Sequence, residues 1–87
     1  MSTHDSHPEI VKRLKRAEGH LRKTMAMIQD ERACLDVAQQ LHAVERAIAQ
    51  AKKAFIHDHI DHCLDGSAHG GDLQEMAREF KSISKYL

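Results

Sequence analysis

Apolar positions recur every three or four residues in three separate stretches, the spacing that lines one face of an α-helix. Ile10, Leu14, Ala17, Leu21, Met25 and Ile28 form the first stripe. Pro8 suits a first helical turn, where its missing N–H costs nothing, and the pattern predicts a helix over about 8–29. Asp30 and Glu31 mark a break. From about 31 to 63 the chain holds no Pro and no Gly, and Cys34, Val37, Leu41, Val44, Ile48, Ala51 and Phe55 keep the same spacing. Residues 65–71 have loop composition, and Asp72 is placed to cap a last helix. Leu73, Met76, Phe80, Ile83 and Leu87 give that helix its own stripe. The expectation is an all-α chain of three helices, short–long–short, forming a single domain over 1–87, with residues 1–7 (MSTHDSH) as a flexible N-terminal arm.

Composition changes this picture in one respect. The chain has 87 residues and only 3% aromatics, so a lone copy has few large side chains with which to build a core and is marginal by itself. A helix of ~30 residues is ~45 Å long at 1.5 Å per residue, too long for so small a chain to cover. Small residues along it (Ala38, Ala43, Ala47, Ala49, Ala51) permit close helix approach. The second stripe is therefore expected to be buried by another copy. No apolar run approaches the ~20 residues that span a bilayer, and the first thirty residues lack a secretory core. A cytoplasmic protein with no membrane partner is expected, and two cysteines in a reducing compartment read as ligands, redox-sensing thiols or inert core residues rather than a disulfide.

Candidate chemistry concentrates in residues 55–63, FIHDHIDHC. His59 and Cys63 are four apart and project from the same helix face one turn apart, as two ligands of one metal ion must. Cys34 is the only other thiol. It lies twenty-nine residues before Cys63, ~40 Å along one helix, so the two cannot share an ion within one chain. If two long helices pack antiparallel, Cys34 of one copy meets His59 and Cys63 of the other, giving two equivalent sites under two-fold symmetry. The alternative for Cys34 is a small core residue. His57 and His62 face elsewhere on the helix, and His20 and His42 read as structural.

The segments RLKRAEGHLR (13–22), ACLDVAQQLHAVERAI (33–48) and DHIDHC (58–63) resemble the copper-sensitive operon repressor family, which includes copper, nickel/cobalt, formaldehyde and persulfide sensors. The resemblance runs from Ile10 to Leu87. It implies an antiparallel four-helix-bundle dimer, assembling as a dimer of dimers into a flat tetramer, that represses transcription without a helix-turn-helix and leaves operator DNA on binding its inducer. Carried over, it assigns Cys34, His59 and Cys63 as metal ligands. The persulfide sensors lack the histidine and the formaldehyde sensors usually lack the last cysteine, so what remains is a metal sensor.

Thiolate–imidazole–thiolate alone suits trigonal Cu(I). A further nitrogen turns the site toward Ni(II) or Co(II), and nickel/cobalt members of the family draw it from the N-terminal arm. His4 and His7 lie in that arm, although the family's position aligns nearest to Ser2. Copper sensors of the family commonly carry a tyrosine before the first cysteine, linked to a glutamate on the last helix; this chain has Ala33 there and keeps Glu79 as an outer partner. The expectation is therefore a Ni(II) or Co(II) sensor, with Cu(I) as the alternative.

Net charge is zero with histidine neutral, yet residues 8–23 hold six basic and two acidic side chains. Lys12, Arg13, Lys15, Arg16 and Arg46, with Lys52 and Lys53 nearby, are candidate phosphate contacts whose binding would be salt-dependent. A solvated helix face is the plain alternative. There is no Gly-rich phosphate loop and no nucleophile elbow, so an enzyme with a small-molecule substrate is not expected. A metal buffer without DNA binding and a thiol-based aldehyde or sulfide sensor remain as rivals.

Overall fold

A computed structural model describes residues 6–64 and 72–87, with the backbone alone for Cys63 and Leu64. His4 and the loop expected over 65–71 lie outside these residues. Three helices follow in order: α1 (His7–Gln29), α2 (Cys34–Leu64) and α3 (Leu73–Ile83), the last continued by a 3₁₀ turn, Ser84–Tyr86. No strand occurs among the described residues, and none of their helices is long and apolar enough to cross a membrane.

Helix α1 begins one residue earlier than the sequence suggests, so His7 belongs to the helix rather than the arm, with Pro8 in the first turn. Helix α2 begins later, at Cys34 rather than near Glu31. The reason is the way α1 ends. Arg32 N–H donates to Met27 O at 3.0 Å and Glu31 N–H to Ile28 O at 3.1 Å, the paired bonds of a Schellman stop. That stop needs a left-handed residue after the cap, and Glu31 supplies it at φ 57°. At the other end of the chain, Asp72 caps α3 as expected: its Oδ1 accepts from Gln74 N–H at 3.0 Å and Glu75 N–H at 3.1 Å.

Helices α1 and α2 fold back on each other as an antiparallel hairpin. The molecule measures 55 × 26 × 13 Å, and its least dimension is about one helix diameter. The seam is a narrow line on each helix: Ile10, Ala17 and Thr24 on α1 and Val44 and Ala51 on α2 are buried, in each case seven residues apart, and Ile56 of α2 is buried off this line. Thr24, 0% exposed, satisfies its hydroxyl by donating to His20 O at 2.9 Å. Beside the seam, displaced by four residues on both helices, run Leu14, Leu21 and Ile28, and Leu41, Ile48 and Phe55. These remain exposed, Leu41 at 43% and Ile48 and Phe55 at 44%. The first stripe read from sequence is thus split: one edge packs within the chain and the other does not.

Glu31 is strained at its left-handed φ, where a side chain with a Cβ is disfavoured and glycine is not. Glu31→Gly is expected to stabilise the protein by about 1 kcal/mol. The check is the thermal unfolding midpoint, which should rise by a few degrees; an unchanged midpoint would mean that the turn relaxes elsewhere.

Candidate metal centre and basic groove

Three candidate ligands sit at the far end of α2 or against it. His59 Nε2 lies 2.8 Å from Glu79 Oε1, so the ring is tied to α3, and with Nε2–H donating, Nδ1 keeps a lone pair. Glu79 is thus tied to His59 rather than to the position before Cys34. Cys63 follows His59 by one helical turn in the final turn of α2. The hairpin brings His7, the first residue of α1, to the same end: its ring stacks on Phe55 with centroids 5.2 Å apart, and Nε2 lies 3.5 Å from Asp58 Oδ2. His7 therefore lies against α2 beside Asp58, the residue before His59.

Cys34 is at the opposite end. It is the first residue of α2, and its thiol is exposed, at the edge of an open apolar cleft of ≈400 Å³ lined by Ile28, Val37, Ala38 and Leu41 together with Glu31 and Arg32. Twenty-five residues separate it from His59, ~38 Å along the helix. Among the described residues no three of His, Cys, Asp and Glu gather within reach of one ion. Register supplies the connection that distance denies. Cys34, Leu41, Ile48 and Phe55 are spaced by seven, and His59 lies four beyond, so thiol, apolar line and imidazole share one face of α2.

The other face of the hairpin is polar. Arg13, Arg16, Ala17 and His20 of α1 and Ala47 and Gln50 of α2 line a shallow groove of ≈300 Å³. It continues into a cleft lined by Lys15, Arg16, Gly19, His20, Lys23, Met27 and Gln40. His20 Nε2 and Gln40 Oε1, 2.5 Å apart, cross the groove floor and join the helices. Lys12, Arg13, Lys15, Arg16 and Arg46 are all exposed, and Arg46 stands one turn before Gln50. Two exposed ion pairs, Arg16–Glu9 at 3.6 Å and Arg22–Glu18 at 3.7 Å, partly engage the basic side chains, but pairs this open to solvent hold weakly. Sequence reasoning missed the part played by Gly19, Gln40 and Gln50, since a pattern read one helix at a time does not show what faces it. A glycine inside a long helix was the one available signal.

Residues 6–85 match the family described as metal-sensitive transcriptional repressor. Among curated relatives, the copper-sensing transcriptional repressor CsoR of Bacillus subtilis is 31% identical over 77 residues, covering 88% of this chain and 76% of that protein. CsoR of Mycobacterium ulcerans is 29% identical over 82 residues, covering 94% and 70% respectively. Among solved structures, the nickel-responsive transcriptional regulator InrS superposes with a TM-score of 0.82 at 30% identity, covering 100% of this chain and 98% of that one. With this three-helix architecture and a match over nearly its full length, the chain belongs to the family of metal-sensitive transcriptional repressors.

Proposed function

We propose that the protein is a cytoplasmic repressor that binds operator DNA when metal-free and leaves it on binding Ni(II) or Co(II). The observation that carries this reading is the coincidence of Cys34, the exposed line Leu41–Ile48–Phe55 and His59 on one face of α2. A second copy laid antiparallel on that face covers the apolar line from both chains and brings its His59 and Cys63 to Cys34. The product is a four-helix-bundle dimer with two equivalent sites, and dimers pair into a tetramer. Without such a partner the chain leaves Leu14, Leu21, Met25, Ile28, Leu41, Ile48 and Phe55 in water, which a protein this small does not offset from its own core.

The residues present fit a metal ion. Cys34 and Cys63 offer sulfur, and His59 offers Nδ1 because Nε2 is committed to Glu79 at 2.8 Å, the outer hydrogen bond that fixes a ligating ring. When bound, the ion supplies a bond between two copies that is absent without it. His7, held beside Asp58, shows that the start of α1 reaches the His59 end, which favours a further nitrogen from the arm (His7 or His4) and hence nickel or cobalt. The likeness to a nickel-responsive regulator agrees. Cu(I) is the second reading, supported by curated relatives that are copper sensors and by the sufficiency of two sulfurs and one nitrogen for a trigonal site.

The basic groove on the opposite face is the DNA surface, with Arg13 and Arg16 in its lining and Lys12, Lys15 and Arg46 beside it. If metal favours the form that does not bind DNA by ~3 kcal/mol, affinity falls about a hundredfold. The test is fluorescence anisotropy of the reduced protein on its own upstream DNA, titrated with Ni(II), Co(II), Cu(I) and formaldehyde. Release by nickel or cobalt is expected, and release by Cu(I) alone selects the second reading. Release by formaldehyde alone would make Cys34 a carbonyl sensor, and no binding at all would leave a metal buffer.

Two substitutions separate the roles. Cys34→Ser is expected to keep metal-free DNA affinity within about twofold and to abolish the ~100-fold release by metal; loss of DNA binding in the metal-free variant would make Cys34 structural. Glu79→Ala is expected to weaken metal binding about 10–100-fold while leaving metal-free DNA affinity in place. Competition against a chelator of known affinity measures the first, and an unchanged metal affinity would mean that Glu79 does not orient His59.

A further inference from the structure

Gly19 lies in the interior of α1, twelve residues from the start of the helix and ten from its end. Glycine there weakens a helix relative to alanine, and such a position needs a reason. Packing within the chain does not give one: a Cβ built on Gly19 meets nothing within 4 Å. Its backbone conformation does not give one either, since no left-handed φ is present at this residue. The missing side chain instead leaves a notch in the wall of a cleft of ≈500 Å³.

The chemistry of that cleft identifies what approaches. Its lining is Lys15, Arg16, Gly19, His20, Lys23, Met27 and Gln40. Three of the seven are permanent cations, and no acidic side chain is among the described lining residues. At the floor, Gln40 accepts from His20 through its oxygen, so its amide nitrogen keeps two N–H donors for another acceptor. Arg16 is shared with Glu9 at 3.6 Å, but both side chains are more than half exposed, and an anion can take the place of Glu9.

We infer that the notch at Gly19 seats a phosphodiester of duplex DNA, with Lys15, Arg16 and Lys23 around it and Gln40 donating from the floor. The inference rests on the proposed DNA binding and adds to it a defined seat, including Gly19, Lys23 and Gln40. Close approach of the phosphate to the backbone of α1 is what a side chain at position 19 would prevent.

Gly19→Leu provides an unusual test because it opposes the two effects. Leucine is a strong helix former and meets open space, so the free protein should melt at the same temperature or higher. Its affinity for the upstream duplex should fall at least tenfold, with Gly19→Ala intermediate, measured metal-free by anisotropy alongside sedimentation and thermal unfolding. Lys23→Gln should lower the slope of log affinity against log salt by about one. Affinity of Gly19→Leu within twofold of the unsubstituted protein overturns the seat while DNA binding itself stands, as does an unchanged slope in Lys23→Gln. A change in assembly mass on Gly19→Leu also overturns it, because the notch would then be a contact between copies. If the unsubstituted protein does not bind the duplex, the DNA-binding reading fails first and the seat falls with it.

Discussion

Ile10, Ala17 and Thr24 on one helix and Val44 and Ala51 on the other hold the hairpin together along a single line, and the small size of three of them sets the shape of the molecule. Side chains of this size let two helices lie close, and a strip one residue wide leaves the rest of each helix outside the contact. The result is a slab one helix thick. It buries few large apolar groups: two of the five buried apolar residues among those described are alanines. Most of the large residues are displaced to the edge of the seam, where the described residues leave them exposed.

A slab of this kind has two faces, and the chain gives them opposite chemistry. Moving four residues on from the seam on either helix leads to Leu14, Leu21, Ile48 or Phe55. Moving three leads to His20 or Ala47, with Gln40, Arg13 and Arg16 close by. The helices run antiparallel, so equal displacements along their sequences land on the same side. One face is therefore apolar from end to end and the other polar and basic, although the chain as a whole has no net charge. The thiol of Cys34 and the imidazole of His59 fall on the apolar side by the same arithmetic, at opposite ends of one line of leucine, isoleucine and phenylalanine.

Much of this was legible in the sequence, and the parts that were not share a physical cause. The three helices followed from apolar spacing, and the cap at Asp72 from a short acceptor preceding a new stripe. The stop after Gln29 was harder to place because its left-handed position holds Glu31, not the glycine that usually marks it. The first stripe predicted the apolar surface of α1 but could not divide it, since a periodic pattern is equally apolar toward its own chain and toward another. His59 and Cys63 were legible as a pair through their i, i+4 spacing. The resemblance singled out Glu79 as an outer partner but linked it to the position before Cys34, held here by Ala33; that it reaches His59 instead was not legible, as the two belong to different helices. The groove of His20, Gln40 and Gln50 was least legible, because polar residues facing each other across a hairpin carry no periodic signature in either helix.

The thinness of the slab also bears on how a metal site on one face could govern DNA on the other. One helix joins the two faces: α2 carries Cys34 on the apolar side and Gln40, six residues on, at the floor of the basic groove. A rigid helix cannot turn one side without turning the other. A metal ion bridging two copies through Cys34, His59 and Cys63 would fix the rotation and offset of α2 relative to its neighbour. Every residue of the groove that α2 contributes would move with it, and α1 would follow through the seam. Metal–thiolate sites supply apparent binding energies of ~10 kcal/mol or more, whereas a hundredfold loss of DNA affinity requires only ~3 kcal/mol of preference between forms. A small part of the binding energy, directed into a change of helix packing, is therefore enough.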